Sequence, residues 1–387
     1  MVDLSLTEEH RALRDAVAQF ARNEVAPVIG DLYERRAFPY DLVRTMGRMG
    51  LFGLPFPEDV GGMGGDLFGL GIALEELARV DSSVAITLEA AVCLGAMPLH
   101  RFGSPEQRQR WLPELTSGTK LGAFGLTEPG GGTDTAAPRT RARRDGPDWV
   151  LDGSKAFITN SGTDITAFVT VTAETGRRPD GRAEISAFLV PAGTPGLTVG
   201  QPYSKVGWNC SDTHEVSLDG VRLDDESMVG AQGRGHAQFL AILDEGRVAL
   251  AALATGLAQG CVDESVAYAT ERAAFGRPIG AHQGLAFQIA DMEAAVHVAR
   301  LAWYDAAWRA VSGLPFSRQA AVAKLVASEA AVTNARVAAQ VFGGYGFMND
   351  YPVGRFYRDA KILEIGEGTS EVQRMIIARS LGLPLGR

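Results

Sequence analysis

The sequence predicts a multi-domain α+β chain that is mostly α: a helical N-terminal domain over residues 1–120, a middle β-barrel or sandwich over 121–230, and a helical bundle over 231–387. Three observations predict it. Apolar residues recur every three or four positions up to about residue 120, alternate at strand spacing up to about 230, and then return to helical spacing. At 387 residues the chain is too long for a single core, which favours two or three modest domains sharing interfaces.

In the N-terminal part, Leu13, Ala16, Val17 and Phe20 follow the i, i+3, i+4, i+7 pattern, and Leu70, Ala73, Leu74 and Leu77 repeat it, so each helix is expected to bury one apolar face. Ser5, Thr7 and Glu8 carry helix-start chemistry. The glycine-rich stretch Gly61 to Gly65 lacks the Lys-Ser/Thr of a phosphate loop and reads as a plain connector. In the middle part, Ile165, Ala167, Val169 and Val171 alternate with Thr166, Phe168, Thr170 and Thr172. Ile185 to Val190 and Glu215 to Leu218 are short β-prone runs, and Asp152-Gly153 is a turn signal. Further on, Ile289, Met292, Val296, Ala299 and Trp303 step by three and four, and Ser317 to Val341 contains nine alanines, a composition suited to close helix packing.

Bulk composition narrows the function. A net charge of −9 argues against a nucleic-acid surface, although a few converging arginines would still serve a small anion. Charged residues at 21% and hydrophobic residues at 46% are ordinary for a globular protein. No apolar run approaches the roughly 20 residues of a membrane span. The acidic start lacks the basic region of a signal peptide and reads as mature protein. Cys93, Cys210 and Cys261 are far apart without metal-ligand spacing, which fits a reducing cytoplasm and no metal site.

Two segments suit a ligand. Gly125-Leu126-Thr127-Glu128-Pro129-Gly130-Gly131-Gly132-Thr133-Asp134 has three consecutive glycines, whose backbone would let an anion or a polar ring edge approach, with hydroxyls at Thr127 and Thr133. On the residues alone, an ordinary turn into the β domain is the favoured account. In Gly153-Ser154-Lys155-Ala156-Phe157-Ile158-Thr159-Asn160 a strand would place Phe157 and Thr159 on one side. That pair would hold a flat heterocycle, or Phe157 is simply a core residue.

Taken together these segments resemble the acyl-CoA dehydrogenase family, and three more of its motifs follow in order. Arg272-Ala273-Ala274-Phe275-Gly276 with His282-Gln283 is similar to its R-x-x-F-G … Q element. Gln340-Val341-Phe342-Gly343-Gly344 with Gly346-Phe347 is similar to its Q-x-x-G-G-x-G element. Tyr357-Arg358-Asp359-Ala360 leads to Glu367-Gly368-Thr369-Ser370. The resemblance spans essentially the whole chain.

This resemblance implies the family fold with a C-terminal four-helix bundle, a homotetramer of two dimers, and FAD between the β domain and that bundle. By matching position, Leu126, Thr127, Gly132, Thr133, Phe157, Ile158 and Thr159 would contact the flavin and its pyrophosphate, as would Thr369 and Glu371. Arg272, Phe275, Gln340 and Gly344 would hold the FAD of the neighbouring subunit, and Gln283, Val341 and Gly343 would also contact FAD. The implied reaction is dehydrogenation of an acyl-CoA to the trans-2-enoyl-CoA. Glu367 would remove the α-proton, flavin would accept the β-hydride, and Thr133, Gly246, Arg247, Gly366 and Gly368 would line the substrate. The backbone N–H of Glu367 and a ribityl hydroxyl would bind the thioester oxygen, and an electron-transfer flavoprotein would take the electrons.

Three departures bear on specificity. Gly366 stands where many relatives have tyrosine, Gly246 stands where some carry the base, and Phe157 replaces a common tryptophan. The two glycines suggest extra room near the thioester and lean toward a short or branched acyl group, or one with a bulky substituent. Lys205-Val206-Gly207-Trp208-Asn209 is similar to the stretch in isobutyryl-CoA dehydrogenases. Glu245, one residue from Gly246, should point elsewhere, and His214 and His282 need no catalytic role. The competing readings are an acyl-CoA oxidase or flavin monooxygenase of the same superfamily, and a non-catalytic scaffold or binding protein.

Overall fold

The computed structural model describes residues 5–384. Helix α1 (Glu8–Phe20) begins at Thr7, whose hydroxyl accepts the His10 N–H at 3.1 Å. A π-helical stretch, Ala21–Val25, carries it into α2 (Ala26–Arg35). Then come α3 (Tyr40–Arg48), α4 (Leu67–Ala78), α5 (Ser82–Glu89), α6 (Met97–Phe102) and α7 (Pro105–Thr116).

Every residue of α4 and α5 is buried, so the expectation of one apolar face for α4 is corrected. That helix is enclosed because α1 and a long later helix pack on it together. The reading that no apolar run approaches a membrane span is corrected too. Ser82–Phe102 is continuous through α5, a π-helical stretch Ala90–Ala96 and α6, with mean hydropathy 1.6, long and apolar enough to cross a bilayer. Its most apolar window is 94% buried inside the protein, which makes it a core helix here.

The middle part is one seven-stranded sheet built from β1 (Leu121–Gly125), β2 (Arg141–Asp145), β3 (Asp148–Thr159), β4 (Thr166–Arg177), β5 (Ala183–Pro191), β6 (Leu197–Pro202) and β7 (Thr213–Leu223), in the order β1-β4-β2-β3-β7-β6 with β5 also on β4. Its strands curl around a single core that includes Trp149, Leu151, Val169, Val171, Phe188, Val216 and Val221. Along β4, Phe168 to Ala173 are all buried, so the threonine face is not a solvent face. Phe168 points away from the barrel core and meets Trp111 of α7 edge-on at 5.3 Å.

The turn expected at Asp152-Gly153 is also corrected. Gly153 lies inside β3 at a bulge, with φ +152°, and a Cβ there would strike Thr140. The hairpin between β2 and β3 turns instead at Gly146 and Pro147, with Asp145 paired to Asp148.

Helix α8 (Gly235–Glu271) opens the C-terminal part and is followed by a hairpin of β8 (Ala273–Ala274) and β9 (Arg277–Pro278). Then come α9 (Gln283–Val311), α10 (Ser317–Phe342), α11 (Pro352–Ala360) and α12 (Ser370–Ser380). Alanines on the buried face of α10 bring it close to α8 and α9, and Asn334 donates to Ala258 O at 3.3 Å and Met292 O at 3.1 Å, tying the three together.

One buried polar cluster joins all three parts. Asp359 of α11 accepts from the Tyr33 hydroxyl, from Ser82 Oγ at 2.8 Å and from the Trp208 N–H at 2.6 Å. Beside it, Asp81 caps α5 and pairs with Arg355 at 2.8 Å.

Candidate active site

Glu367 lies in a short loop between a 3-10 turn, Lys361–Glu364, and α12. Its backbone is left-handed, with φ 53°, and Gly368 follows at φ +90°. A glutamate held there is strained, so the surrounding contacts must over-determine it. They do: Lys324 Nζ donates to Gly368 O at 2.8 Å, Gln373 Nε2 donates to the same oxygen at 2.8 Å, and Thr369 Oγ1 caps α12 by accepting the Val372 N–H.

The side chain of Glu367 runs to α8, where the bare face of Gly246 receives it. A Cβ on Gly246 would lie 2.4 Å from Glu367 Oε2. The space expected there as acyl room is therefore filled by the carboxylate. Gly366 does remain open, with only Ile362 O, at 3.5 Å, near the position of a Cβ. Arg247, 6% exposed, is buried and not a solvated helix residue; it pairs with Asp244 at 2.6 Å while its Nε has no partner among the described residues. Glu245 points to the other side, onto Arg101.

Burial raises the Glu367 carboxyl above its ordinary range, with Glu89, Lys324 and Arg247 pulling the other way. Burial lowers the Lys324 ammonium to about 8 against the attraction of Glu367.

A second group of residues lies at the mouth of the barrel. Glu128 organises the glycine loop: its carboxylate accepts the Arg139 N–H at 2.6 Å and the Thr140 N–H at 3.1 Å, and it pairs with the buried Lys155 ammonium at 2.8 Å. Thr127 O accepts the Ala156 N–H at 2.9 Å, which joins the loop to β3. Gly131 and Gly132 are uncrowded; a Cβ at either would approach nothing nearer than 3.5 Å. Leu126 and Thr127 are half-buried, and Thr133 is exposed.

Phe157 has φ 62° at a register shift in β3 and is 65% exposed, with its ring 5.2 Å from that of Tyr203. Half-buried Thr159 faces out with it. Ile158 does not join them: its side chain is 2% exposed and packed in the barrel core, so only its backbone is within reach of a ligand. The strand end touches the first group's neighbourhood, since Asn160 Nδ2 donates to Thr87 O of α5 at 3.2 Å.

A third group is separate. Arg272, Val341, Gly343 and Gly344 line an open cleft of about 560 Å³. Phe275 and Gly276 form the two-residue turn between β8 and β9, with φ 55° and 79° as a tight hairpin requires, and Phe275 is 95% exposed. His282 meets Phe275 edge-on at 5.9 Å, and Gln283 and Gln340 are exposed. Glu371 is exposed in the first turn of α12. His214 is held by Gly200 O at 2.7 Å and Asp212 at 2.6 Å, as befits a structural residue.

Sequence reasoning missed three features. Lys324 and Gln373 hold the Glu367 loop through carbonyls, and Glu89 faces Glu367 from α5. The third is a cleft of about 720 Å³ lined by Arg139, Arg141, Arg177, Arg178, Arg182 and His236. Arg177 pairs with Glu174 and Arg182 with Asp180, whereas Arg139, Arg141 and Arg178 have no ion pair among the described residues. These arginines come from separate strands and loops, so no spacing announces them.

Comparison with known proteins gives this geometry its family. The sequence matches the acyl-CoA dehydrogenase N-terminal domain over residues 7–119, the middle domain over 123–221 and the C-terminal domain over 233–382. The chain belongs to the acyl-CoA dehydrogenase family. It is 45% identical to the probable acyl-CoA dehydrogenase YngJ of Bacillus subtilis, over 98% of this chain and 100% of that one.

The butyryl-CoA dehydrogenase of Megasphaera elsdenii superposes with a TM-score of 0.94 at 39% identity, covering 98% of this chain and 99% of the other. A glutaryl-CoA dehydrogenase from Mycobacterium smegmatis in complex with FADH2 superposes with a TM-score of 0.93 at 30% identity, covering 99% and 97%. As an acyl-CoA dehydrogenase the chain is an FAD-dependent oxidoreductase acting on a CH–CH bond of an acyl-CoA. The uncrowded glycines of the 125–134 loop and the exposed Phe157 ring beside Thr159 fit a flavin.

Proposed function

We propose that this acyl-CoA dehydrogenase acts on a short or branched acyl group and that Glu367 is the base at Cα. The observation that carries this is a buried carboxylate in a left-handed loop, seated on Gly246, with no N–H or hydroxyl donor on either oxygen among the described residues. Such a group is free to take a proton, and its raised pKa strengthens it as a base. Arg247 and Lys324 keep positive charge close by, which favours its ionised form. Among the described residues no acceptor pairs with the Glu367 N–H, so it remains available to a thioester oxygen as negative charge develops there.

Bound FAD supplies the acceptor for the β-hydride. Leu126, Thr127, Gly132, Thr133, Phe157, Thr159 and the Ile158 backbone would hold its ring end, and Thr369 and Glu371 would approach it from α12. We assign Arg272, Phe275, Gln283, Gln340, Val341, Gly343 and Gly344 to the FAD of a neighbouring subunit, in a homotetramer whose subunits each divide at about residues 120 and 230. Their surface is separate from the Glu367 site, which favours a role across an interface.

The arginine cleft suits the phosphorylated nucleotide end of CoA. From His236, at its edge, α8 rises ten residues to Gly246, about 15 Å at the helical rise, a span suited to a pantetheine arm. The open position at Gly366 favours small or branched acyl groups. An electron-transfer flavoprotein is the proposed acceptor.

A 3-thia-acyl-CoA tests the base separately from oxidation, because it ionises at Cα and cannot lose a β-hydride. The wild type is expected to develop a long-wavelength charge-transfer band with it, and Glu367→Gln is not; an equal band in the variant would remove Glu367 from this role.

A further inference from the structure

Glu89, the last residue of α5, is fully buried with the Cys93 thiol within hydrogen-bonding reach, and among the described residues no N–H or hydroxyl donor reaches either of its oxygens. The same holds for both oxygens of Glu367, and the two carboxyls lie within hydrogen-bonding reach of each other. Two ionised carboxylates cannot abut in a dry site without a cation between them. Lys324 and Arg247 act on Glu367 from α10 and α8, whereas among the described residues the titratable neighbours of Glu89 are Glu367 and the buried Cys93 thiol. Cys93 itself faces Glu89, Glu367 and, at longer range, Glu245. The pair therefore holds one proton, and the asymmetry of the cations puts it on Glu89.

Helix geometry supports a specific placement. The π-helical stretch Ala90–Ala96 begins immediately after Glu89, and wide turns of this kind recur where a functional side chain is re-aimed.

We propose that Glu89 is a positioning residue for catalysis: in its protonated form it donates a hydrogen bond to the Glu367 carboxylate, holding that base ionised and oriented inside a water-poor site. This rests on Glu367 being the base. When the substrate Cα–H bond breaks, its proton goes to Glu367, the existing proton stays on Glu89, and both carboxyls are then neutral.

The test is the pH profile of anaerobic flavin bleaching by butyryl-CoA in FAD-loaded enzyme. Wild type, Glu89→Gln, Glu89→Leu and Glu367→Gln are compared. Glu89→Gln still offers an N–H donor and should keep the wild-type midpoint. Glu89→Leu removes the donor and should move the ascending limb up by about one pH unit or more. A Glu89→Leu profile that is unmoved, or moved to lower pH as relief of a repulsive charge would do, overturns the proposal. If Glu367→Gln still bleaches at the wild-type rate, the base assignment itself fails first.

Should the leucine variant not fold, infrared spectroscopy of the wild type at neutral pH is decisive. A protonated carboxylic acid band that Glu89→Gln removes is expected. Absence of any such band overturns the proposal.

Discussion

The Glu367 carboxylate occupies the space that a side chain at position 246 would need, 2.4 Å from where a Cβ on Gly246 would sit. Glycine at 246 is therefore a condition for this placement of the base, because the two residues exclude each other sterically. Gly246→Ala should displace the carboxylate by a fraction of an ångström or more. Loss of near-attack geometry on that scale is expected to lower kcat about 100-fold. Flavin content and Tm should change little, and single-turnover bleaching with an FAD assay checks both.

The pH dependence of bleaching follows from burial. Because burial raises the Glu367 pKa, the rate should rise with pH through a midpoint above the ordinary carboxylate range, since the base acts only when ionised. A stopped-flow series on the wild-type enzyme checks this sign; a rate that falls over the same range would contradict it.

The arginine cleft predicts a loss confined to CoA esters. Arg178→Ala with Arg182→Ala should raise KM for acyl-CoA about tenfold or more with kcat nearly unchanged, because the affected groups touch substrate far from the reacting bond. KM for the truncated acyl-pantetheine, which lacks the nucleotide, should not move.

Removing the ammonium that pairs with Glu128, the residue that organises the glycine loop, should weaken flavin binding. Lys155→Met leaves Glu128 buried without its ammonium partner, a loss that costs about 3–5 kcal/mol when a buried pair is broken. A lower Tm and a higher FAD dissociation constant are expected together.

The hinge of the three parts is open to a milder test. Tyr33→Phe takes one of the donors from buried Asp359 and should cost about 1–3 kcal/mol, read as a Tm lower by a few degrees. Burial already raises the Asp359 pKa to about 6. Its contribution to stability is accordingly complete below the unfolded pKa near 3.9 and is lost as pH rises through about 6.

Much of the fold was legible because period is a local property: the helical spacing of α1 and α9 and the β-prone runs in β4, β5 and β7 needed no tertiary information. What failed was inference about the far side of an element. The alternation along β4 did not say what lies over its second face, where Phe168 meets Trp111 of α7. Gly153 read as a turn because bulge and turn share the same need for unusual φ. At the site, Glu367 and the 125–134 loop stand out in the sequence as motifs, whereas Gly246 reads as acyl room because a lone glycine does not show what fills the space beside it. Lys324, Glu89 and the arginine cleft were not legible, since they converge from separate elements with no shared pattern.

The central claim is that buried Glu367 begins acyl-CoA oxidation by removing the α-proton. The most direct measurement mixes FAD-loaded enzyme anaerobically with short, branched, medium and long acyl-CoAs and follows oxidised flavin absorbance, with Glu367→Gln in parallel. Rapid bleaching by the short or branched esters, slowed at least about 1000-fold in the variant, is the predicted result. Bleaching at an undiminished rate in Glu367→Gln would contradict it.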